Sequence, residues 1–372
     1  MKNLSKYQGC LIGGAVGDAL GYTVEFKSIS DIKSKHGEKG ITGYELSNGK
    51  ALISDDTQMT LFTANGLLLG TTRGKIRGII GEYSDYIGYC YLDWYKTQTK
   101  NYPVKDAYQY TWLLNIPELF SRRAPGNTCL QAIADGCKGN IYDPVNDSKG
   151  CGGVMRVAPI GVYFEESELL SQNFIDMIGA KTAALTHGHP LGYIPAAALV
   201  HIVSRASHNE NKSLYDIVEN TRESILSNWG DNKYIDDFIS IYDKAVILSK
   251  SELSDEEAIS QLGEGWVAEE TLAIAVYCAL KHQDDFEKAL IASVNHNGDS
   301  DSTGAVTGNI LGAYLGIDAI PQKFIEKLEL KEIIMDIAED LYNDCKMSEY
   351  SSYYDKVWDE KYIHNTYNPA NN

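Results

Sequence analysis

Two short acidic clusters carry the plainest chemistry in this chain: Ser54-Asp55-Asp56-Thr57 and, far downstream, Asp299-Ser300-Asp301-Ser302-Thr303. Each sets two carboxylates among hydroxyls just ahead of a stretch that reads as helix. Carboxylates and hydroxyls are hard oxygen donors, suited to Mg²⁺ or Mn²⁺ rather than to zinc or copper. If the fold joins the clusters, four carboxylates meet at one point, which cations must neutralise. The plainer reading is capping, because Ser, Thr and Asp are common N-caps and an acidic first turn suits the helix dipole. One Asp and one Ser would satisfy that role, so the second carboxylate of each cluster exceeds it.

Four further segments add to the set. In Gly13-Gly14-Ala15-Val16-Gly17-Asp18-Ala19-Leu20-Gly21, followed by Glu25, the two acids are seven apart, two helical turns, and therefore face the same way. Gly150-Cys151-Gly152-Gly153-Val154-Met155-Arg156 is expected to enter a helix running through Pro159, with turn N–H groups forming an anion pocket. No Gly-Lys-Ser/Thr and no preceding strand accompany it, which excludes a P-loop or a dinucleotide fingerprint. In Thr186-His187-Gly188-His189-Pro190 no third nitrogen ligand stands at zinc spacing. His187 is therefore read as a hydrogen-bonding group or a plain helix-terminal histidine. Trp266, in Gly263-Glu264-Gly265-Trp266-Val267, either covers a ligand or plugs the core.

The elements that must position these residues read as helices. Leu61, Ala64 and Leu68 share a face, as do Ile175, Ile178, Thr182 and Leu185. Further helices are expected over 192–206, 213–227, 234–248, 268–282, 285–294 and 330–345, and strand-like alternation is scarce, so the class is all-α. Gly13, Gly17 and Gly21 lie four apart, as do Gly304, Gly308, Gly312 and Gly316. A helix-interior glycine costs up to about 1 kcal/mol relative to alanine, so these ladders imply close backbone approach. The two ladder helices are expected to touch, bringing Asp18 and Glu25 near Asp299 and Asp301. Segment 27–53 reads as a long surface loop and 138–153 as a second irregular stretch. No linker divides the chain, which gives one domain over 1–346 and a Tyr-rich tail over 347–372 that packs partly onto it.

Composition narrows the partners. With 33 Lys and Arg against 51 Asp and Glu, the 372-residue chain carries a net charge of −18. That argues against binding nucleic-acid backbone or an anionic membrane surface. Seven scattered cysteines, with no Cys-x-x-Cys, read as reduced thiols in a cytoplasmic protein. No run of about 18 uncharged apolar residues occurs.

Gly-Asp-Ala-Leu-Gly with a following Glu, Ser-Asp-Asp-Thr, Gly-Gly-Val-Met-Arg, Thr-His-Gly-His-Pro and Gly-Asp-Ser-Asp-Ser-Thr-Gly-Ala stand in the order and approximate spacing of the ADP-ribosylglycohydrolase family. From about Leu4 to Gly316 the chain resembles in particular the ADP-ribosylarginine hydrolases and the dinitrogenase-reductase-activating glycohydrolases. The resemblance implies a compact all-α fold around a cleft with two Mg²⁺ or Mn²⁺ ions. By similarity, Ser54, Asp55, Asp56, Asp299, Asp301 and Ser302 would hold the metals. Ser54 and Ser302 replace a threonine frequent in the family and keep its hydroxyl. Asp55, the loop residues Ser148, Gly150, Cys151, Gly152 and Gly153, His187 and Trp266 would contact ADP-ribose, while Glu25 or Asp56 handles the proton of the attacking water.

The implied reaction is hydrolysis of the N-glycosidic bond between ADP-ribose and arginine of a modified protein, such as a target of an ADP-ribosylating toxin or regulatory transferase. Serine-linked ADP-ribose, O-acetyl-ADP-ribose and a non-catalytic ADP-ribose-binding module are the alternatives.

Overall fold

The computed structural model describes residues 2–105, 108–209 and 211–371. Among the described residues, seventeen α-helices and five short 3₁₀ turns account for the regular structure, and extended pairing is confined to isolated bridges. The expected helices are found as Pro190–His208, Leu214–Trp229, Ile235–Ser249, Ala268–Lys281, Phe286–Val294 and Lys331–Asn343. Leu61, Ala64 and Leu68 are buried on helix Asp55–Arg77, and Ile175, Ile178 and Thr182 on helix Gln172–Ala184.

At the centre, helix Leu4–Gly21 and helix Ser300–Leu315 lie antiparallel along the glycine ladders, the most extensive helix–helix contact in the fold. Gly9 faces Gly312, Gly13 faces Gly308 and Gly17 faces Gly304, so the first ladder begins one turn earlier than the sequence reading placed it. A Cβ on Gly13 would stand 2.4 Å from the Gly308 carbonyl oxygen, and one on Gly308 would stand 2.0 Å from that of Gly13. Backbone touches backbone here, and any side chain would drive the helices apart. Cys10 O accepts from Asn309 Nδ2 at 2.8 Å and fixes the register.

Three local expectations need correction. The first helix ends at Gly21 and residues 22–26 form a turn, so Glu25 reaches its place from a turn rather than from the face that carries Asp18. Segment 27–53 contains a helix, Ile29–His36, capped by Ser28 on Asp31 N–H. Only Ile32 of it is buried, too little apolar periodicity to mark it in the sequence. The glycine-rich stretch forms a 3₁₀ turn, Cys151–Gly153, and the next helix starts only at Ala158, with Pro159 in its first turn. Proline cannot donate an N–H, so it opens that helix instead of continuing one.

Near the C-terminus, helix Lys356–Tyr362 packs back on the body. Trp358 Nε1 donates to Thr72 at 2.9 Å, and the buried Lys361 ammonium meets both Asp336 and Asp340 at 2.7 Å.

Candidate active site

The two acidic clusters arrive as the N-termini of helices Asp55–Arg77 and Ser300–Leu315. Capping accounts for part of each cluster and leaves carboxylates over. Ser54 Oγ caps Asp56 N–H at 3.2 Å and Asp299 Oδ1 caps Ser302 N–H at 3.3 Å, while the remaining carboxylates turn toward each other. Asp18, on the ladder helix, accepts from Ser54 N–H at 2.9 Å, from Thr57 N–H at 3.1 Å and from the Thr57 hydroxyl. Its carboxylate therefore anchors the start of helix Asp55–Arg77 against the glycine seam.

A cleft of about 200 Å³ opens between these termini. Of the residues singled out from the sequence it gathers Glu25, Asp55, Asp56, Gly150, Cys151, Gly152, His187, Trp266, Asp299, Asp301 and Ser302 in its lining. Ser54, Ser148 and Gly153 stand behind that lining. Ser54 is occupied with its cap, and Ser148 lies beside the turn, its Oγ 3.4 Å from Thr128 Oγ1 and from Gly150 N. Gly153 packs against helix Pro190–His208, where a Cβ would stand 2.8 Å from Gly192 O. Sequence reasoning missed Phe26, Ala124, Gly126, Thr128, Cys129 and Met155 in the lining. Gly126 precedes helix Asn127–Ala134 and gives its N–H to Asp55. The Gly126-Asn127-Thr128 run is an ordinary helix-start signal, and nothing in it points to the cleft.

One carboxylate oxygen of each of Glu25, Asp299 and Asp301 lies within 4.8 Å of the others, a grouping able to hold a metal ion. No Lys or Arg stands in the lining to offset them. Burial, then the charges of Asp301, Asp299 and Asp55, push the Glu25 carboxyl up to about 11. Burial lifts Asp301 to about 7 against the hydrogen bond from Asp299, with Asp18 and Asp55 adding repulsion. Asp55, Asp56 and Asp299 rise well above the usual carboxylate range, again chiefly through burial and then through one another. Asp56 Oδ2 is buried and has no hydrogen-bond partner. A buried carboxylate oxygen without a partner costs several kcal/mol unless a cation or proton meets it. A hard divalent cation fits this donor set.

The opposite wall is set by Arg156. Its buried guanidinium lies 4.5 Å above the Tyr91 ring and donates to Thr186 Oγ1 at 2.7 Å and to Cys129 Sγ at 3.4 Å. Thr186 Oγ1 in turn meets His187 Nδ1 at 2.8 Å. That hydroxyl accepts from Arg156, and Nδ1 at 2.8 Å is a closer acceptor for its proton than Ala183 O at 3.5 Å, which favours the Nε2–H tautomer of His187. Burial and the Arg156 charge lower the imidazole to about 3 and keep it neutral. Nε2 faces the glycine turn, 3.3 Å from where a Cβ on Gly150 would stand. His187 thus offers the cleft a neutral donor and is more than a helix-terminal histidine.

At the mouth, Phe26 and Trp266 stack with ring centroids 5.2 Å apart and planes 19° from parallel. Trp266 Nε1 donates to Glu264 at 3.1 Å. Phe26, at φ 62°, is 69% exposed, so the pair roofs the cleft and leaves the core to other side chains.

An all-α fold whose central helices deliver converging carboxylates to one cleft defines a class of helical proteins with a buried acidic centre, and the family can be named. The ADP-ribosylglycohydrolase family model matches residues 1–350, and the chain belongs to that family. It is 24% identical to ADP-ribosylhydrolase ARH3 of Homo sapiens, over 92% of this chain and 94% of that one. It is 23% identical to ADP-ribosylarginine hydrolase Tri1 of Pseudomonas putida, over 91% and 78%. To ADP-ribosyl-[dinitrogen reductase] glycohydrolase of Rhodospirillum rubrum it is 25% identical, over 87% and 90%. A solved chain titled "ADP-ribosylglycohydrolase-related protein complex" superposes with TM-score 0.58 at 23% identity, covering 91% of this chain and 98% of that one, a likeness of fold. Among the described residues no helix is long and apolar enough to cross a membrane.

Proposed function

We propose that this chain is a metal-dependent glycohydrolase that removes ADP-ribose from modified protein by cleaving the N-glycosidic bond to arginine. The observation that carries the reading is the convergence of Glu25, Asp55, Asp56, Asp299 and Asp301 on one cleft with no basic side chain in its lining and with Asp56 Oδ2 unpartnered. Two Mg²⁺ or Mn²⁺ ions would be held by Asp55, Asp56, Asp299, Asp301 and Ser302, with Ser54 contributing the lone pair that its cap bond leaves free. Bound there, the ions supply Lewis acidity and offset the carboxylate charge.

The protein's own groups do the rest. The transition state resembles an oxocarbenium ion, which a nearby carboxylate stabilises. Glu25, on a turn at the edge of the cluster, takes the proton of the attacking water, with Asp56 as the other candidate. His187 Nε2–H and the Gly152 region of the turn orient the pyrophosphate. The Gly150 N–H lies 3.4 Å from Ser148 Oγ and the Cys151 N–H already donates to Trp266 O at 3.2 Å, so the turn offers fewer free donors than its composition suggests. The Phe26–Trp266 roof excludes water from the sugar.

Arginine is favoured because a departing guanidinium is a cation and the mouth is acidic, with Glu264 held beside Trp266. A relative named as an ADP-ribosylarginine hydrolase supports the same linkage. The test is release of free ADP-ribose from matched arginine- and serine-linked substrates, with Mg²⁺ and with EDTA. Mg²⁺-dependent release from the arginine substrate alone is expected. Release from the serine substrate alone would overturn the linkage, and binding of ADP-ribose without release from either would overturn catalysis.

A further inference from the structure

Arg156 is a cation buried without an anion. Its guanidinium is met by neutral groups: Thr186 Oγ1 at 2.7 Å, Thr182 O at 3.3 Å, Cys129 Sγ at 3.4 Å, Met59 Sδ at 3.5 Å and the face of Tyr91. Its Nε, also buried, has no partner. Burial pushes the Tyr91 phenol and the Cys129 and Cys137 thiols upward, so none of them supplies a negative charge. Among the described residues no carboxylate pairs with Arg156, whereas Arg123 meets Glu329 and Arg222 meets Asp243. A buried charge without its counter-ion is costly, and packing alone does not call for one there.

The guanidinium stands one layer behind the glycine turn and outside the cleft lining. A Cβ on Gly152 would lie 2.8 Å from Cys129 Sγ and 2.9 Å from His187 Cε1. Arg156 holds both of those residues, Cys129 directly and His187 through the Thr186 hydroxyl. We propose that Arg156, acting through Thr186 and His187, is a positioning residue for the diphosphate of ADP-ribose, and that this diphosphate is the counter-ion the guanidinium lacks. This rests on the reading of the cleft as an ADP-ribose site. The chain of donors runs from the guanidinium to the Thr186 hydroxyl, from that hydroxyl to Nδ1, and from Nε2–H toward the turn. Each bond polarises the next, so the positive charge strengthens the one donor that faces the ligand. The same charge offsets the repulsion between a diphosphate and the carboxylates of the other wall.

The experiment compares the full chain with Arg156→Met, Thr186→Val and Thr186→Ser. Isothermal titration reads ADP-ribose affinity in Mg²⁺ and, separately, Mg²⁺ affinity. ¹⁵N NMR of histidine-labelled protein reads the His187 tautomer, its signal assigned by loss in His187→Gln. Arg156→Met and Thr186→Val should each weaken ADP-ribose about 10–100-fold, the worth of one hydrogen bond to a charged group. Mg²⁺ should bind at least as tightly, because a nearby positive charge is gone or unchanged. Thr186→Ser keeps the hydroxyl and should restore both wild-type affinity and the Nε2–H signal that Thr186→Val loses. Should Arg156→Met fail to fold, the two Thr186 variants carry the test. Unchanged ADP-ribose affinity, equal weakening of ADP-ribose and Mg²⁺, or a Thr186→Ser chain as weak as Thr186→Val would each overturn the proposal. If wild type releases ADP-ribose while both variants bind it undiminished, the positioning role falls and the glycohydrolase reading stands. If the variants lose ADP-ribose as expected but wild type releases none from either protein substrate, the reverse holds.

Discussion

Two clusters of carboxylates in the molecule are balanced differently. Beneath the C-terminal helix, Asp336 and Asp340 share the buried ammonium of Lys361, and the Tyr362 hydroxyl donates to Asp340 at 2.6 Å. The lysine remains charged there because attraction to both acids outweighs its burial. In the cleft, Glu25, Asp55, Asp56, Asp299 and Asp301 crowd together with no basic side chain in the lining. The same chain thus supplies its own cation where a charged cluster only holds structure. Where it withholds one, the cluster is built to receive something from outside.

That contrast can be broken in several ways. The largest effect is expected on turnover: EDTA, or Asp56→Ala, should abolish ADP-ribose release, with Mg²⁺ binding lost in parallel by isothermal titration. If Asp56→Ala bound Mg²⁺ as well as wild type, its place among the ligands would be wrong. Glu25→Gln should keep the metal and lower kcat by about 10²–10⁴, the usual range for a missing general base; wild-type turnover would remove Glu25 from that role.

Smaller effects fall on stability and carry opposite signs in the two regions. Lys361→Met leaves the half-buried Asp336 and Asp340 without their cation and should cost about 1.5–3 kcal/mol in urea unfolding. Asp301→Asn removes a repelled charge and should stabilise the metal-free chain by about 1–2 kcal/mol. A matching loss at both sites would erase the distinction between them.

The pH dependence follows the same logic. Asp301 rises from 3.8 to about 7 and Glu25 from 4.5 to about 11 in the metal-free fold. Raised carboxylates stabilise below their unfolded values and lose that contribution as pH climbs through the folded ones. Metal-free protein should therefore melt at progressively lower temperature between about pH 5 and pH 9, and Mg²⁺ should flatten the trend in a calorimetric scan.

Much of this centre was legible in the residues. The two acidic clusters stood out because each held more carboxylate than a cap needs, and the glycine ladders announced the seam that joins their helices. Helix Ile29–His36 escaped because it buries Ile32 alone. The turn that carries Glu25 escaped because seven-residue spacing assumes an unbroken helix, whereas the chain leaves it at Gly21. Gly126 and Cys129 were invisible for a different reason. Their membership in the cleft depends on where a separate loop and helix dock, and no local pattern encodes that. His187 sits between these cases: its motif was visible, while the Arg156–Thr186 relay that fixes its tautomer is a product of packing.

The glycine seam also sets a timetable for synthesis. Cys10 and Asn309 are 299 positions apart, yet they share a hydrogen bond at the middle of the fold. Contacts of such sequence separation form late, after a long stretch of chain has already emerged. The first helix, bare glycine along one side, must wait at the ribosome exit for a partner 299 positions downstream. Until that partner arrives neither acidic cluster has its counterpart, so a truncated nascent chain cannot acquire the centre early, and the waiting helix is where a chaperone would be expected to hold it.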